Sequence, residues 1–380
     1  MVIIIHVKLS PVNLLGRPMN THPLYNLIQN SRLMTSLAKD YGTPLYIYSE
    51  ERLLANLERL NNALKTNFNK YHICYALKAN SNPALIRKMK NNLVSIGADC
   101  SSPGELHAAK LAGIDTHECI YTGNYESLKD LQVAYNSGCH LNLDDITSFH
   151  RLNKIGIPNE ISFRFNPGFG KGTFPQITTA GKKAKFGLPK ENILEAYRLA
   201  KNAGINKFGI QCMAGSGVLE VEYFPTLLTA ILDTVVEIQT KLDVHFSYIS
   251  IGGGLGIPYH ENESPLDIDT VFNDLGRIFH SYFGEVKNVP SLWIEPGKYL
   301  VGDAGILLSK VTGIKKSYRT YIGLDSGMET LMRPALYNAY HRIHKIGHSD
   351  TEKMFTVDFT GRILSLIHIS EPTRRYAISY

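Results

Sequence analysis

The chain has 380 residues, of which 44% are hydrophobic, enough for a large core in one or two domains. Its net charge of +6 comes from 40 basic and 34 acidic residues spread along the chain. The sequence has no block of Lys and Arg residues of the kind that is typical of nucleic-acid-binding proteins. No run approaches the roughly 20 apolar residues of a membrane span, and the apolar patch at residues 2–5 is too short for a signal peptide. We therefore expect a cytoplasmic protein that binds neither nucleic acid nor membrane.

The N-terminal part of the chain leads into a long alternation of strands and helices. Residues 1–42 are expected to be partly disordered or to pair with a later β-rich domain. From about residue 71, strand-like runs alternate with amphipathic helical runs. The strand-like runs are YHICYALK, LVSIGADC, CIYTG, HLNLD, EISFRFN, KFGIQCMAG, FSYISIGGG and SLWIEPG. Eight strand–helix units predict a parallel sheet closed into an α/β (β/α)8 TIM barrel over residues 43–297, rather than an open Rossmann sheet.

The character of the chain changes after Gly297. Residues 299–327 are rich in β-forming residues and have no intervening helical runs, which predicts a second, C-terminal β-domain over residues 298–363. The five cysteines lie far apart and never form a C-x-x-C pair, which favours buried free thiols in a reducing compartment. The histidine pair His341 and His344 has no metal-ligand spacing, so we expect a solvated helix face there and no metal site.

Polar residues accumulate where the predicted barrel strands end. In barrels of this kind the carboxyl ends of the strands carry the chemistry. These residues are Lys78, Asp99, Arg164, Asn166, Ser216, Gly252, Gly253, Gly254 and Glu295. Three interpretations of Lys78 are possible at this point: a surface ion-pair partner, an anion contact, or an imine-forming nucleophile.

Two neighbouring motifs bear on the role of Lys78. The GGGLG run at residues 252–256 follows a strand, and its bare N–H groups suit either a phosphate cradle or a plain turn. It does not complete G-x-G-x-x-G, which speaks against a dinucleotide site. Glu295 ends an apolar strand, where a buried carboxylate requires a partner such as a protonated ring nitrogen. A lysine, a phosphate cradle and a buried carboxylate together describe a pyridoxal phosphate site.

Seven ordered blocks make a family resemblance specific. They are YALKAN, GADCSSPGEL, RFNPG, KFGL, GGGLGIPY, EPGKYLVGDAG and GLDSGMETLMRPALYNAYHRI. Together they resemble the fold-type-III pyridoxal phosphate decarboxylases, and within these the diaminopimelate decarboxylase family, from about residue 40 to about 363. The resemblance implies an alanine-racemase-like barrel with a C-terminal β-domain, and a homodimer with sites shared at the interface.

The resemblance also implies roles for individual residues. Lys78 matches the Schiff-base lysine and Glu295 the partner of the ring nitrogen, while Asp99 and Arg164 match residues that line the cofactor. The phosphate contacts that it implies are Ser216, Gly252, Gly253 and Gly254. In the MRPALY block, Arg333 and Tyr337 match the residues that hold the distal end of the substrate.

The implied activity is decarboxylation of meso-2,6-diaminopimelate to L-lysine and CO2, the last step of lysine biosynthesis. Alternatives are a relative acting on ornithine, arginine or carboxynorspermidine, a racemase, or a non-catalytic pyridoxal phosphate-binding protein. A guanidinium fork at Arg333 suits a distal carboxylate, which a diamine-producing enzyme does not need. The β-rich segment past residue 298 disfavours the carrier, because such carriers are single barrels.

The sequence departs from the family pattern at three places. Lys298 replaces the usual arginine after EPG, so a point charge replaces a fork in contact with phosphate or substrate. Met213 stands where a histidine usually stacks on the cofactor ring, and a thioether can still lie against an aromatic face. Residues 364–380 are similar to a translated sequencing adapter and lack the family's Cys-Glu-Ser segment. We expect a non-native tail there, a truncated β-domain over 298–363 and an enzyme that could be inactive.

Overall fold

The computed structural model describes residues 2–6, 23–173, 178–260, 263–284, 288–346, 354–363 and 375–377. Its strands are β1 (Val2–His6), β2 (Leu45–Tyr48), β3 (Tyr71–Ala76), β4 (Gly97–Cys100), β5 (Cys119–Thr122), β6 (His140–Leu143), β7 (Glu160–Arg164), β8 (Lys171–Gly172), β9 (Lys207–Gln211), β10 (Gly215–Ser216), β11 (Phe246–Ser250), β12 (Ser291–Ile294), β13 (Gly305–Lys316), β14 (Thr320–Leu324), β15 (Arg342–Lys345), β16 (Met354–Thr356), β17 (Asp358–Thr360) and β18 (Arg375–Ala377).

The helices alternate with these strands through most of the chain. They are α1 (Pro23–Gln29), α2 (Ser31–Tyr41), α3 (Glu50–Asn67), α4 (Pro83–Asn92), α5 (Pro103–Leu111), α6 (Leu128–Ser137), α7 (Ile146–Leu152), α8 (Lys190–Asn202), α9 (Tyr223–Leu242), α10 (Ile268–Phe283), α11 (Lys298–Val301) and α12 (Arg333–Tyr337). Short 3-10 turns cover Leu77–Ala79 and Thr116–Glu118. Among the described residues, no helix is both long and apolar enough to cross a membrane.

Residue contacts divide the chain into two compact units. The barrel unit comprises Leu54–Ile257 and Leu266–Val301, and the sheet unit comprises Met1–Leu53, Pro258–Pro265 and Gly302–Tyr380. The predicted domain limits at residues 43, 297 and 363 stay predictions, and most of the predicted tail at 364–380 lies outside the described residues.

The barrel unit contains a closed parallel barrel of eight strands in the order β11-β12-β3-β4-β5-β6-β7-β9. This confirms the predicted fold class and every predicted strand-like run. The strands are short and apolar because helices cover their outer face while side chains fill the interior. A capping residue starts α5: Ser102 Oγ accepts from Glu105 N at 3.3 Å, with Pro103 in the first turn.

Large aromatic side chains fill the interior of the barrel. Tyr248 and Trp293 stack with ring centroids 4.1 Å apart, and Cys74 and Ile120 pack in the same buried cluster. Gly209 on β9 makes room for this stack, because a Cβ there would lie 2.2 Å from the ring of Tyr248. The barrel interior is therefore a packed core, in which the Tyr248 hydroxyl donates to the buried Ser162 Oγ at 2.9 Å.

The sheet unit is built on a six-stranded sheet in the order β15-β1-β13-β14-β17, with β2 also paired to β13. Strand β1 pairs antiparallel with both β13 and β15. Alternate residues of β13 face two different cores: Leu307 packs in one, and Ile306 and Leu308 pack in the other. The second core includes Leu24 of α1 and Met34 of α2, so these helices cover one face of the sheet. Separately, β16 pairs with β18.

All five cysteines are buried and free, as the sequence predicts.

Candidate active site

Lys78 lies at the carboxyl end of β3, in the 3-10 turn Leu77–Ala79. Its Nζ donates to Asp99 Oδ2 at 2.5 Å; the lysine side chain is 51% exposed and that of Asp99 only 1%. Strand pairing sets this contact, because Asp99 on β4 lies opposite Ala76 on β3. Desolvation lowers the pKa of Lys78, but the Asp99 carboxylate outweighs it, so the pKa is raised overall. The turn thus presents a primary amine with a buried carboxylate beside it.

Glu295 follows β12 and is buried. Ser250 at the end of β11 donates its hydroxyl to Glu295 Oε1 at 2.6 Å, and Gln211 at the end of β9 donates Nε2 to Oε2 at 2.8 Å. Both partners are neutral, so they do not balance the charge of the carboxylate. Burial, and then the nearby charge of Asp99, raise the pKa of Glu295 to about 7.

Gly252, Gly253 and Gly254 follow β11 as a loop that admits no side chain. Gly252 and Gly254 have φ of 68° and 96°, in the left-handed region. A Cβ on Gly253 would lie 2.3 Å from the carbonyl oxygen of Glu295. The N–H of Gly253 points at Met213 Sδ, 3.2 Å away. The glycine run is therefore required because neighbouring backbone leaves no room for side chains, and not only because the chain turns there.

The other predicted phosphate contacts lie beside this loop. Strand β10, which ends at Ser216, adjoins Gly254: a Cβ on Gly254 would lie 2.9 Å from Gly215 O. A Cβ on Gly217, directly after Ser216, would lie 3.0 Å from Lys298 Nζ. The structure therefore brings Ser216, the glycine loop and the ammonium of Lys298 into one neighbourhood.

Arg164 is buried at the end of β7 and is anchored by several groups. Its Nη2 donates to the carbonyl oxygens of Thr179 at 3.2 Å and Met213 at 3.4 Å. Its guanidinium lies 3.8 Å from Asp144 and over the ring of Phe186, at 4.5 Å from the centroid. Asn166, also at this strand end, donates to the carbonyls of residues 181 and 186 and organises the loop.

Arg333 and Tyr337 lie in the sheet unit, at the two ends of α12. The guanidinium carbon of Arg333 is 4.4 Å from the ring centroid of Tyr259, and its Nη1 is 3.2 Å from His341 Nε2. The prediction that His341 and His344 lie on a solvated helix face is wrong. His341 is buried, and His344 belongs to β15.

Sequence reasoning missed the side chains that contact Glu295 and Arg164. Ser250 and Gln211 are strand residues, and only the side-by-side order β9, β11, β12 brings both to Glu295. Asp144 follows β6 directly, so the rule that chemistry gathers at strand ends could have included it. Among the described residues, no group of three or more His, Cys, Asp or Glu side chains could hold a metal ion.

Comparison with known proteins fits this arrangement. Residues 54–302 match the family model described as "Pyridoxal-dependent decarboxylase, pyridoxal binding domain". A diaminopimelate decarboxylase of Methanothermobacter thermautotrophicus is 39% identical over 329 residues, covering 86% of this chain and 76% of that protein. The chain belongs to the diaminopimelate decarboxylase family. Another family member, from Archaeoglobus fulgidus, is 35% identical over 331 residues, which is 85% of this chain and 77% of that protein.

Solved structures of this decarboxylase family have the same fold. Diaminopimelate decarboxylase from Helicobacter pylori, as a mutant complexed with L-lysine, superposes with a TM-score of 0.82 at 26% identity, covering 91% of this chain and 85% of that one. The Methanocaldococcus jannaschii enzyme, in co-complex with L-lysine, gives a TM-score of 0.80 at 27% identity, covering 99% of this chain and 85% of that one.

The barrel unit of this family member has the groups that pyridoxal phosphate requires. Glu295 is a buried acid with neutral partners, which suits a positively charged ring nitrogen. The Lys298 ammonium, 3.0 Å from where a Cβ on Gly217 would lie, offers a cation for a phosphate beside Ser216. Lys78 offers a half-exposed amine for covalent attachment. The described residues therefore fit the cofactor that the family name implies.

Proposed function

We propose that this protein is a pyridoxal phosphate-dependent carboxy-lyase that converts meso-2,6-diaminopimelate to L-lysine and CO2. The observation that carries the proposal is the pairing of Lys78 with a buried Asp99, on the barrel whose rim also bears the buried Glu295. The chain presents this arrangement within a sequence 39% identical to a diaminopimelate decarboxylase. Bound pyridoxal phosphate supplies an electron sink for the electron pair left behind when CO2 departs.

In this proposal Lys78 is the attachment residue for the cofactor. Its amine has to lose a proton before it can bond to an aldehyde, yet the Asp99 carboxylate stabilises the ammonium form. Asp99 Oδ2, at 2.5 Å from Nζ, both orients the amine and holds positive charge close to the reacting position. Arg164, anchored by carbonyls and Asp144, lines the same rim as a positioning group.

Glu295 keeps the ring nitrogen of the cofactor positively charged. A cation facing the carboxylate supplies the charge that Ser250 and Gln211 do not provide. The same contact stabilises the ionised acid, whose pKa burial otherwise raises to about 7. The acid and the ring nitrogen thus stabilise one another in their charged forms.

The remaining assignments of the proposal concern phosphate and substrate. Gly252, Gly253 and Gly254, with Ser216 and the Lys298 ammonium, bind the phosphate; the closeness of Lys298 Nζ to Gly217 supports this. In the structure the N–H of Gly252 donates to Ser250 Oγ and that of Gly253 points at Met213 Sδ, so these two N–H groups have to exchange partners when phosphate binds. Lys298 also binds the substrate carboxylate through its ammonium group. Arg333 and Tyr337 hold the distal end of diaminopimelate, and a guanidinium suits the carboxylate there.

The proposal includes a homodimer in the cytoplasm. Three large apolar side chains lie exposed within nine residues of the sheet unit, Met328, Met332 and Leu336, and we assign them to the dimer contact, where exposed apolar surface is expected. The site sharing implied by the family resemblance supports the same assembly. Five buried free thiols agree with a reducing compartment.

Substrate and cofactor assays test the proposal together. Purified protein with pyridoxal phosphate should release CO2 from meso-diaminopimelate, and much less from ornithine, arginine or carboxynorspermidine. Borohydride reduction followed by mass spectrometry should place the phosphopyridoxyl group on Lys78. Lys78→Ala should abolish both results, while Lys129→Ala, on the exposed face of α6, should leave them unchanged. An adduct on another lysine, or preference for another substrate, would refute the corresponding part.

A further inference from the structure

Three side chains of the sheet unit meet around one guanidinium. Arg333 lies with its guanidinium carbon 4.4 Å from the ring centroid of Tyr259 and its Nη1 3.2 Å from His341 Nε2. Tyr259 and His341 in turn contact each other edge to face, with centroids 6.0 Å apart. Tyr259 is 9% exposed and His341 is 7% exposed. The guanidinium therefore contacts two buried rings that also contact each other.

The contact between Arg333 and His341 determines the protonation of the histidine. A guanidinium has donors but no acceptor, so the shared hydrogen has to belong to Arg333 and the Nε2 of His341 has to accept it. An imidazole that accepts at Nε2 is neutral and carries its proton on Nδ1. His341 thus accepts a hydrogen bond from the Arg333 cation and adds no second positive charge beside it.

The two rings constrain the guanidinium in different directions. The guanidinium carbon lies over the ring face of Tyr259, where the cation–π attraction is strongest, and Nη1 donates to His341 Nε2. A guanidinium has five N–H groups, so these contacts use only part of its donor capacity. The remaining donors keep a defined direction, and a planar fork with a defined direction is what two-point binding of a carboxylate requires.

We infer that Tyr259 and His341 are positioning residues for Arg333, and that they determine selectivity for substrates with a carboxylate at the distal end. The inference rests on the proposed function, in which Arg333 binds that carboxylate. Neither ring touches the reacting atoms in this inference. Loss of either ring therefore weakens binding of the distal carboxylate and leaves the chemical step intact.

The test compares the same exchange at two histidines that lie three positions apart, His341 and His344. His341→Phe keeps an aromatic ring and removes the acceptor, whereas His344→Phe makes the same exchange outside the contacts described for Arg333. With meso-diaminopimelate, His341→Phe should raise KM about tenfold and change kcat less than twofold. The control should change neither value. His341→Gln, which restores an acceptor, should recover most of the lost affinity.

Competition by two amines shows which part of the substrate is affected. L-Lysine retains a carboxylate, whereas 1,5-diaminopentane has the same chain and no carboxylate. His341→Phe and Tyr259→Leu should each weaken inhibition by L-lysine about tenfold and leave inhibition by 1,5-diaminopentane unchanged. Thermal unfolding of each variant, with and without L-lysine, gives the same comparison without turnover and shows that the variant is folded.

The outcomes separate the inference from the proposed function. Wild-type protein that releases no CO2 from diaminopimelate overturns the proposed function and the inference with it. If the wild type is active and Arg333→Ala raises KM, but His341→Phe and Tyr259→Leu do not, only the positioning role is refuted. Equal weakening of both inhibitors, or a fall in kcat at unchanged KM, also overturns it.

Discussion

Glu295 shows how one buried acid can make the stability of the fold depend on pH. Its pKa is raised from 4.5 to about 7 by burial, so the folded protein without cofactor holds this proton more tightly than the unfolded chain does. The associated stability is fully present below pH 4.5 and is lost as the pH rises through about 7. The loss amounts to at most about 3 kcal/mol in the free energy of unfolding.

Urea unfolding of the cofactor-free protein between pH 4.5 and 8 measures this effect. The wild type should lose free energy of unfolding across that range relative to Glu295→Gln, whose neutral side chain does not titrate. Glu191→Gln, at an exposed position on α8, is the matched control and should follow the wild type. Parallel curves for wild type and Glu295→Gln would mean that Glu295 is ionised in the fold without a cofactor.

At the level of single residues, the sequence revealed the groups that end strands but not those that support them. Lys78, Asp99 and Glu295 could be found because a charge directly after an apolar run stands out. Ser250 and Gln211 could not, since a polar residue within a strand gains a partner only through the register of its neighbours. The error at His341 has a similar origin: the i, i+3 spacing does not distinguish a helix face from a turn that enters a strand.

Among the elements, the loop after β11 brings backbone close against backbone. A methyl group on Gly253 would meet the Glu295 carbonyl at 2.3 Å, and neither partner is a flexible side chain. Gly253→Ala should therefore lower the free energy of unfolding by roughly 1–3 kcal/mol and weaken pyridoxal phosphate binding more than tenfold, because the loop has to shift.

Thermal unfolding and cofactor titration measure both effects of this exchange. Gly313→Ala is the matched control: that glycine lies in β13, a methyl group added there would meet no neighbouring atom within 4 Å, and the strand should tolerate the exchange. If Gly253→Ala binds the cofactor as tightly as the control does, then the loop is only a turn.

The eight barrel strands could be predicted because each combines a short apolar run with a polar end. Pairing of the N-terminal segment with the later β-rich domain is one of two expectations from the sequence, but its partners β13 and β15 and their register could not be predicted, since they lie about 300 positions away in the chain. The apolar run at residues 2–5 has strong strand character but carries no information about its partner. Its place is set by β13 and β15, since β1 lies between them and pairs with both.

For the whole molecule, the exposed side chains Met328, Met332 and Leu336 lead to a prediction about assembly. If they contribute to a dimer interface, a charge there costs desolvation and should weaken association at least tenfold. Met332→Glu and Leu336→Glu should therefore shift sedimentation towards the monomer at micromolar concentration. Val94→Glu, at an exposed apolar position of the barrel unit, should not. A wild-type protein that sediments as a monomer would contradict the homodimer itself.

The burial of every cysteine has a practical consequence for following the opening of the fold. Their exposures run from 0% to 8%, and burial raises the pKa of Cys212 to about 12, which suppresses the reactive thiolate. A thiol-specific dye added to the native protein therefore meets no accessible sulfur and reacts only when a strand separates from its neighbours. The rate of this slow labelling therefore measures how often the fold opens locally. A single cysteine engineered onto the surface would be labelled by a fluorophore without background from the native cysteines.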